Sequence, residues 1–260
     1  MRTFYYNNTN GVITQRSSAL DRIGIKHCFT TRFGGISRGD RAYTNMSFSR
    51  DVFEVVDENY NRVAKACGFS GKFALTYQTH TDKIRYVSDF EKKYDFSTEP
   101  IDALYTDKKG ICLVAFTADC TPVLLADKKG RCIGAVHSGW RGTVQKIAPK
   151  TVIRMCEDFG CDPSDIVAVI GPHINGCCYE VGSEVKDEFC INGDIYASFF
   201  QQRKDKFMLD MAGAIEYMLK EVGVKEIHIS PDCTYCRNDA YYSHRRTGDA
   251  RGNLGAMIEL

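Results

Sequence analysis

The tetrapeptide Asp-Lys-Lys-Gly occurs twice, at 107–110 and at 127–130, each time between runs of apolar or β-branched residues. A polar, glycine-ended segment of this kind cannot run through a buried sheet, so each copy marks a reversal of direction. The flanks are alike too: Ala103-Leu-Tyr-Thr and Val123-Leu-Leu-Ala precede the two copies, and Ile-Cys-Leu-Val and Arg-Cys-Ile-Gly follow them. The pattern predicts two consecutive hairpins in a strand-dense middle of the chain.

Other segments carry a different period. Val52, Val56, Tyr60, Val63 and Cys67 recur at helical spacing, with Gly68 placed to stop the helix. Short strands are expected over 73–77 and 84–87, joined by the polar Gln78-Thr79-His80-Thr81-Asp82. Further on, helices are expected near 143–159, 182–190 and 207–222, with strands at 166–170 and 226–229. Hairpins mixed with crossover helices predict mixed β-sheets flanked by helices, an α+β fold and not a doubly wound parallel one. No linker rich in proline, serine or glycine interrupts the pattern, so residues 1–260 read as one domain.

Thirty-four basic side chains against thirty-three acidic ones leave a net charge of +1. That balance lacks the electrostatic footprint of a nucleic-acid or anionic-membrane partner, and an anionic ligand would have to be met by a local cluster. Met1 to Asn10 has no apolar signal-peptide stretch, and no run approaches a transmembrane length. The chain therefore reads as cytoplasmic, where its twelve cysteines stay mostly reduced. Cys112 and Cys132 lie in apolar runs and are expected to act as small core residues.

Three clusters place nitrogen or sulfur ligands at strand ends: Gln78-Thr79-His80, Ala118-Asp119-Cys120-Thr121-Pro122 and Val136-His137-Ser138-Gly139-Trp140-Arg141-Gly142. The second hairpin can bring Cys120 and His137 together across its ladder, with His80 arriving from the earlier strand pair. Two imidazoles and a thiolate with an open fourth position form a catalytic zinc set. The same residues allow a Cys120/His137 nucleophile and base pair, or a half-buried cysteine beside two hydrogen-bonded histidines. A competing metal pattern is Cys233-Thr-Tyr-Cys236 with Cys177-Cys178, open at this stage between metal, redox and incidental roles. Arg237, Arg245, Arg246 and Arg251 could clamp an anion or line a solvated loop, and Thr31-Arg32-Phe33-Gly34-Gly35 could shape a pocket or a tight turn.

Taken in order, Thr30-Thr31-Arg32-Phe-Gly-Gly-Ile-Ser, Gln78-Thr-His80, Thr117-Ala-Asp119-Cys120-Thr-Pro-Val-Leu-Leu, Ala135-Val-His137-Ser-Gly-Trp140-Arg141-Gly, Ile170-Gly-Pro-His-Ile-Asn-Gly-Cys-Cys-Tyr-Glu180-Val, and Asp232-Cys233-Thr234 with Ser243-His-Arg245-Arg246 resemble the YfiH/LACC1 family. That family was long labelled polyphenol oxidase or multicopper laccase and is understood as purine nucleoside phosphorylases. The resemblance implies an α+β domain related to the cytotoxic necrotizing factor type of Cys/His hydrolase. It also implies zinc held by His80, Cys120 and His137. The implied reactions are phosphorolysis of adenosine, inosine, guanosine and S-methyl-5'-thioadenosine to free base and ribose 1-phosphate, with adenosine deamination as a second activity. Departures from the family pattern are Thr81, where glycine is usual after the histidine, His244, where tyrosine is common, and the additional Cys236.

On this reading purine nucleosides and phosphate are the partners. Arg32, Arg141, Arg245 and Arg246 become candidates for phosphate or substrate contact, Gln78 and Asn45 for the base or ribose. Asp119 is a candidate acid/base, provided that the strand before it has ended by Thr117; otherwise alternation turns it from Cys120's face. Orienting a ligand or capping a turn is its other expected role. Alternatives are a copper-dependent polyphenol oxidase, which would use Cu2+ in place of zinc, a metal-free Cys/His hydrolase, and a non-catalytic binding module. No feature of the sequence sets an oligomeric state.

Overall fold

The computed structural model of the chain describes residues 3–49 and 51–260; Met1, Arg2 and Arg50 lie outside them, the first two within the N-terminal stretch read above for a signal peptide. A seven-stranded sheet runs in the order β1 (Phe4–Thr9), β2 (Val12–Ser17), β3 (Lys26–Thr30), β16 (Leu254–Glu259), β8 (Cys112–Thr117), β4 (Phe73–Leu75), β6 (Tyr94–Phe96). A six-stranded sheet runs β15 (Glu226–Ile229), β11 (Ile166–Ile170), β9 (Thr121–Asp127), β10 (Ile133–Ser138), β7 (Ala103–Thr106), β5 (Ile84–Tyr86). A small third sheet joins β12 (Glu180–Val181), β14 (Lys206–Leu209) and β13 (Phe200–Arg203). The helices are α1 (Ser18–Arg22), α2 (Phe53–Cys67), α3 (Trp140–Val144), α4 (Ile147–Phe159), α5 (Ser183–Cys190), α6 (Met211–Glu221) and α7 (His244–Thr247). Both large sheets mix parallel and antiparallel pairs, as expected of an α+β fold.

Side-chain alternation along each strand stacks the two large sheets face to face. Leu124 and Ala126 of β9 meet Leu113 and Ala115 of β8 and Ala256 and Ile258 of β16 in an inner core. Val123 and Leu125 point the other way, onto Ile147, Val152 and Met155 of α4 and Ile215 and Met218 of α6. The outer face of the seven-stranded sheet packs Val114, Cys112 and Met257 against Val56, Tyr60 and Val63 of α2. The result is four layers, helix, sheet, sheet, helix. The central strands are buried on both faces, which is why they read as continuous apolar runs. Cys112 and Cys132 are fully buried among them.

Only the second Asp-Lys-Lys-Gly closes a hairpin. There the Asp127 carboxylate accepts from the backbone N–H groups of Lys129 and Arg131, and β9 and β10 pair antiparallel. At the first copy the Asp107 carboxylate is taken by the Tyr86 hydroxyl, and β7 and β8 are not paired. β7 belongs with β10 and β5, and β8 with β16 and β4, so the chain crosses from one sheet to the other. Two further expectations are corrected. The helix predicted near 143–159 is two helices, broken at Lys146 with φ 60°. Residues 207–209 of the helix predicted near 207–222 are strand β14, and Asp210 caps α6 by accepting from Gly213 N–H. A short apolar run such as Phe-Met-Leu does not distinguish the two periods.

The crossings set up the site. The connections β4 to β5 and β8 to β9 both pass between the large sheets. Because β4 runs parallel to β8 and β10 antiparallel to β9, both connections lie at the end of the sandwich where β10 finishes.

Candidate active site

His80 is on the first of these connections, Cys120 on the second, and His137 near the end of β10. One ligand atom from each lies within 4.8 Å of the others, and the two imidazole rings stand edge to face at 5.0 Å. His137 is buried, Cys120 half-buried and His80 exposed, so the cluster opens on one side. Gly139, just beyond β10, makes room for it. A Cβ there would sit 2.4 Å from His80 Nδ1 and 3.5 Å from Cys120 Sγ.

Asp102, a fully buried carboxylate, organises the trio, and no motif in the sequence singled it out. Its Oδ1 bonds His137 Nδ1 at 2.7 Å, which leaves Nε2 to face the cluster. The same carboxylate accepts from the backbone N–H groups of Thr79, His80 and Thr81 and from the Thr81 hydroxyl. Three successive amides thereby wrap one anion, and His80 is held at φ 63°. Thr81 joins this cradle through both its backbone and its side chain. Burial pulls the His137 pKa down, but the neighbouring Cys120 sulfur and the Asp102 carboxylate outweigh it and raise the value to about 9. Burial pushes Asp102 up, and its bond to His137 reverses this and holds it at about 2. His80, whose ring is partly desolvated within the cluster although the residue is exposed, is kept below its ordinary value by that desolvation and by the adjacent His137.

Two cavities meet at the trio. One, of about 410 Å³, is walled by Phe48, Phe96, Phe116 and Tyr77 and by the polar Gln78 and Asn253. The other, of about 390 Å³, is lined by Arg141, Arg245, Arg251 and His244, with Tyr179, Trp140 and Ser138. His80, Cys120 and Arg251 border both. An aromatic chamber and an arginine chamber thus open onto one set of metal-type ligands.

The other sequence candidates divide. Arg141, stacked on Trp140 at 4.3 Å, and Arg245, over Tyr179 at 5.2 Å, line the arginine cavity. Arg246 bonds the Tyr235 carbonyl and stacks on that ring, bordering neither cavity. Arg32 donates to the carbonyls of Ala42 and Asn238, so its Gly-Gly neighbourhood is a tight turn. A Cβ on Gly35 would lie 2.3 Å from the Tyr43 carbonyl. Gln78 borders the aromatic cavity, with its amide bridged to both backbone groups of Phe116. Asn45 is buried and supports that cavity from behind, bonding Ser47 and Asn253. Asp119 follows the end of β8 at Thr117 and has φ 89°, so strand alternation no longer governs it. Its carboxylate accepts from the Thr234 and Ser243 hydroxyls and, at 2.6 Å, from the Arg245 backbone N–H. It fixes the start of α7, the helix that carries Arg245. Arg251, one of the arginines read as a possible anion clamp, borders both cavities; His244, Tyr179 and the cavity phenylalanines were missed because only the fold brings them to the trio.

Residues 26–260 match the family described as multi-copper polyphenol oxidoreductase laccase. The chain is 36% identical over 241 residues to a purine nucleoside phosphorylase of Deinococcus radiodurans, covering 92% of this chain and 90% of the relative. It is 33% identical over 262 residues to the purine nucleoside phosphorylase LACC1 of Mus musculus, covering 96% of this chain and 59% of that protein. The crystal structure of a hypothetical protein YfiH from Bacillus licheniformis superposes with a TM-score of 0.90 at 28% identity, each chain fully covered.

Proposed function

The chain belongs to the YfiH/LACC1 family, described as multi-copper polyphenol oxidoreductase laccase, and on that premise we propose that it is a zinc-dependent purine nucleoside phosphorylase with adenosine deaminase activity as a second reaction. The observation that carries this reading is the meeting of an aromatic and an arginine-lined cavity at the metal-type cluster, where His80 and Cys120 border both and His137 borders the aromatic one. Purine rings stack on aromatic faces, and phosphate pairs with guanidinium forks. The ribose C1' then lies between them, at the trio. The relatives named as purine nucleoside phosphorylases support the same assignment.

The donor set fits zinc. Two imidazoles and a thiolate leave a fourth position open, Asp102 fixes the His137 tautomer, and Gly139 keeps the space clear. Bound there, zinc would supply a Lewis acid at the reacting atoms and a means of activating water for attack on purine C6. Arg141 and Arg245 hold phosphate so that one oxygen approaches C1' as the glycosidic C–N bond breaks. The electrons of that bond stay with the base, which takes up a proton, and ribose 1-phosphate is the other product. Asp119 is a positioning residue for Arg245 in this scheme. Adenosine, inosine, guanosine and S-methyl-5'-thioadenosine share the N-glycosidic bond that reacts.

The test is incubation of pure protein with adenosine, with and without phosphate, followed by chromatography of the bases and nucleosides. Adenine and ribose 1-phosphate should form only with phosphate, and inosine in either case. Formation of neither adenine nor inosine above the buffer blank overturns the reading. One observation favours a second reading: Cys120, His137 and Asp102 are also arranged as nucleophile, base and orienting acid. A metal-free hydrolase would lose activity on alkylation of Cys120 and would purify without zinc. Copper oxidase chemistry fits less well. Of the six histidines, only His80 and His137 join a metal-type group among the described residues, too few for a multicopper cluster.

A further inference from the structure

A second sulfur cluster lies in loops flanking the arginine cavity. Cys177 and Cys178 sit in the turn before β12, and Cys233 and Cys236 in the loop after β15. The four sulfurs lie within 4.8 Å of one another. Individual separations are 3.6 Å for Cys177 to Cys178, 3.8 Å for Cys177 to Cys236 and 3.4 Å for Cys178 to Cys236. All four are free thiols. Four sulfurs bound to one zinc at its usual Zn–S length stand about 3.8 Å apart at the corners of a tetrahedron. A disulfide would pair two of them and leave the others out, whereas here each sulfur faces the other three. Cys233, the buried member, also accepts from the backbone N–H of Asn175.

We propose that Cys177, Cys178, Cys233 and Cys236 form a tetrathiolate zinc site, separate from the His80/Cys120/His137 cluster and structural in role, since a closed set of four protein ligands leaves no position for substrate. The site staples two loops that have no β-ladder between them beyond the single bridge of His173 to Cys233. Both loops support the same wall. Cys178 leads into Tyr179, on which Arg245 stacks, and into Glu180, whose carbonyl accepts from the Arg245 guanidinium. Cys233 leads into Thr234, whose hydroxyl holds the Asp119 carboxylate that in turn accepts from the Arg245 backbone. Two separate stretches of chain are thereby locked around one cation-bearing residue. Cys236 completes the four.

Metal content is read by mass spectrometry on the full chain. The double variant His80→Ala/Cys120→Ala isolates this site from the other and should retain one zinc per chain. Adding Cys177→Ser and Cys236→Ser should remove that equivalent. Should the serine variants fail to fold, two measurements on the otherwise unaltered double variant stand in for them. The four thiols should resist alkylation until a chelator is added, and the cobalt-loaded protein should show the intense charge-transfer band of a tetrathiolate. Iron in place of zinc, no retained metal, a disulfide among the four cysteines, or free alkylation of all four without chelator would each overturn the proposal. The double variant keeps this outcome independent of the phosphorylase reading.

Discussion

Replacing Asp102 with asparagine tests how the trio is held. The carboxylate accepts five hydrogen bonds: from His137 and the His80 amide on Oδ1, and from the Thr79 and Thr81 amides and the Thr81 hydroxyl on Oδ2. Asparagine offers one oxygen and one NH2. With its oxygen on the Oδ2 side, the NH2 faces His137 and the His80 amide. His137 must then accept at Nδ1, which puts its proton on Nε2, the nitrogen that faces the cluster. With its oxygen on the Oδ1 side, His137 keeps its tautomer, but the partly buried Thr79 and Thr81 amides and the Thr81 hydroxyl lose their acceptor. Either way zinc affinity should fall by about 10–100-fold, the usual effect of removing a partner that orients a ligand histidine. That range corresponds to about 1.4–2.7 kcal/mol. Competitive titration against a chromophoric chelator measures it, with circular dichroism confirming that the variant is folded. A folded Asp102→Asn protein that binds zinc within twofold of wild type would refute the assignment of Asp102 as the orienting group.

Three further outcomes follow from the same geometry. Gly139→Ala should leave the melting temperature nearly unchanged, because Gly139 has φ −70°, yet abolish zinc binding and turnover by pushing the His80 ring aside; a fully active variant would show that this close approach is not needed. Arg141→Ala should raise the phosphate KM of the phosphorolysis with a smaller change in kcat, and steady-state kinetics with an unchanged phosphate KM would remove Arg141 from the phosphate site. His27 is fully buried, accepting at Nε2 from the Ser17 N–H with Nδ1 against the Ile25 carbonyl, and burial lowers its pKa to about 4. Its neutral form is the folded one, so its contribution is complete above the unfolded value near 6.5 and is lost as pH falls toward 4, about 3 kcal/mol in all. Urea unfolding at pH 7.5 and 5 should show a smaller loss in His27→Gln than in wild type; an equal loss would assign the acid sensitivity elsewhere.

Local signals in the chain predicted what local physics decides. Helix α2 ends at Gly68, which has φ 74°, because the apolar stripe and the stop residue are both written within one segment. The two Asp-Lys-Lys-Gly copies show where that kind of reading ends. Their sequences are identical, yet Asp127 closes a turn through its own loop's amides and Asp107 is drawn off by Tyr86, a residue twenty-one positions away. Which partner a turn aspartate finds depends on the sheet beside it. Strand β16 went unpredicted in the same way. It is the last segment of the chain and lies between β3 and β8, and only that insertion closes the seven-stranded sheet.

The site shows a comparable division, and the part that stayed hidden bears on the chemistry. His80, Cys120 and His137 were legible as residue types at strand ends, and the resemblance to a known family joined them. Asp102 carried no signal, since a single aspartate at the start of a strand is common and its importance arises from what crosses above it. Its cradle of three amides imposes a left-handed backbone on His80, which costs a non-glycine residue about 1–3 kcal/mol when the surroundings enforce it. A metal-free pair of Cys120 and His137 would gain nothing from that strain, because nucleophile and base are both already positioned by β9 and β10. A metal centre does gain. It needs the third ligand brought to within reach of the other two, and the carboxylate that holds His80 in place is the one that fixes the tautomer of His137. One buried anion therefore sets two ligands from separate segments at once, one on a connection and one on β10, which favours the zinc reading over the hydrolase on geometry alone.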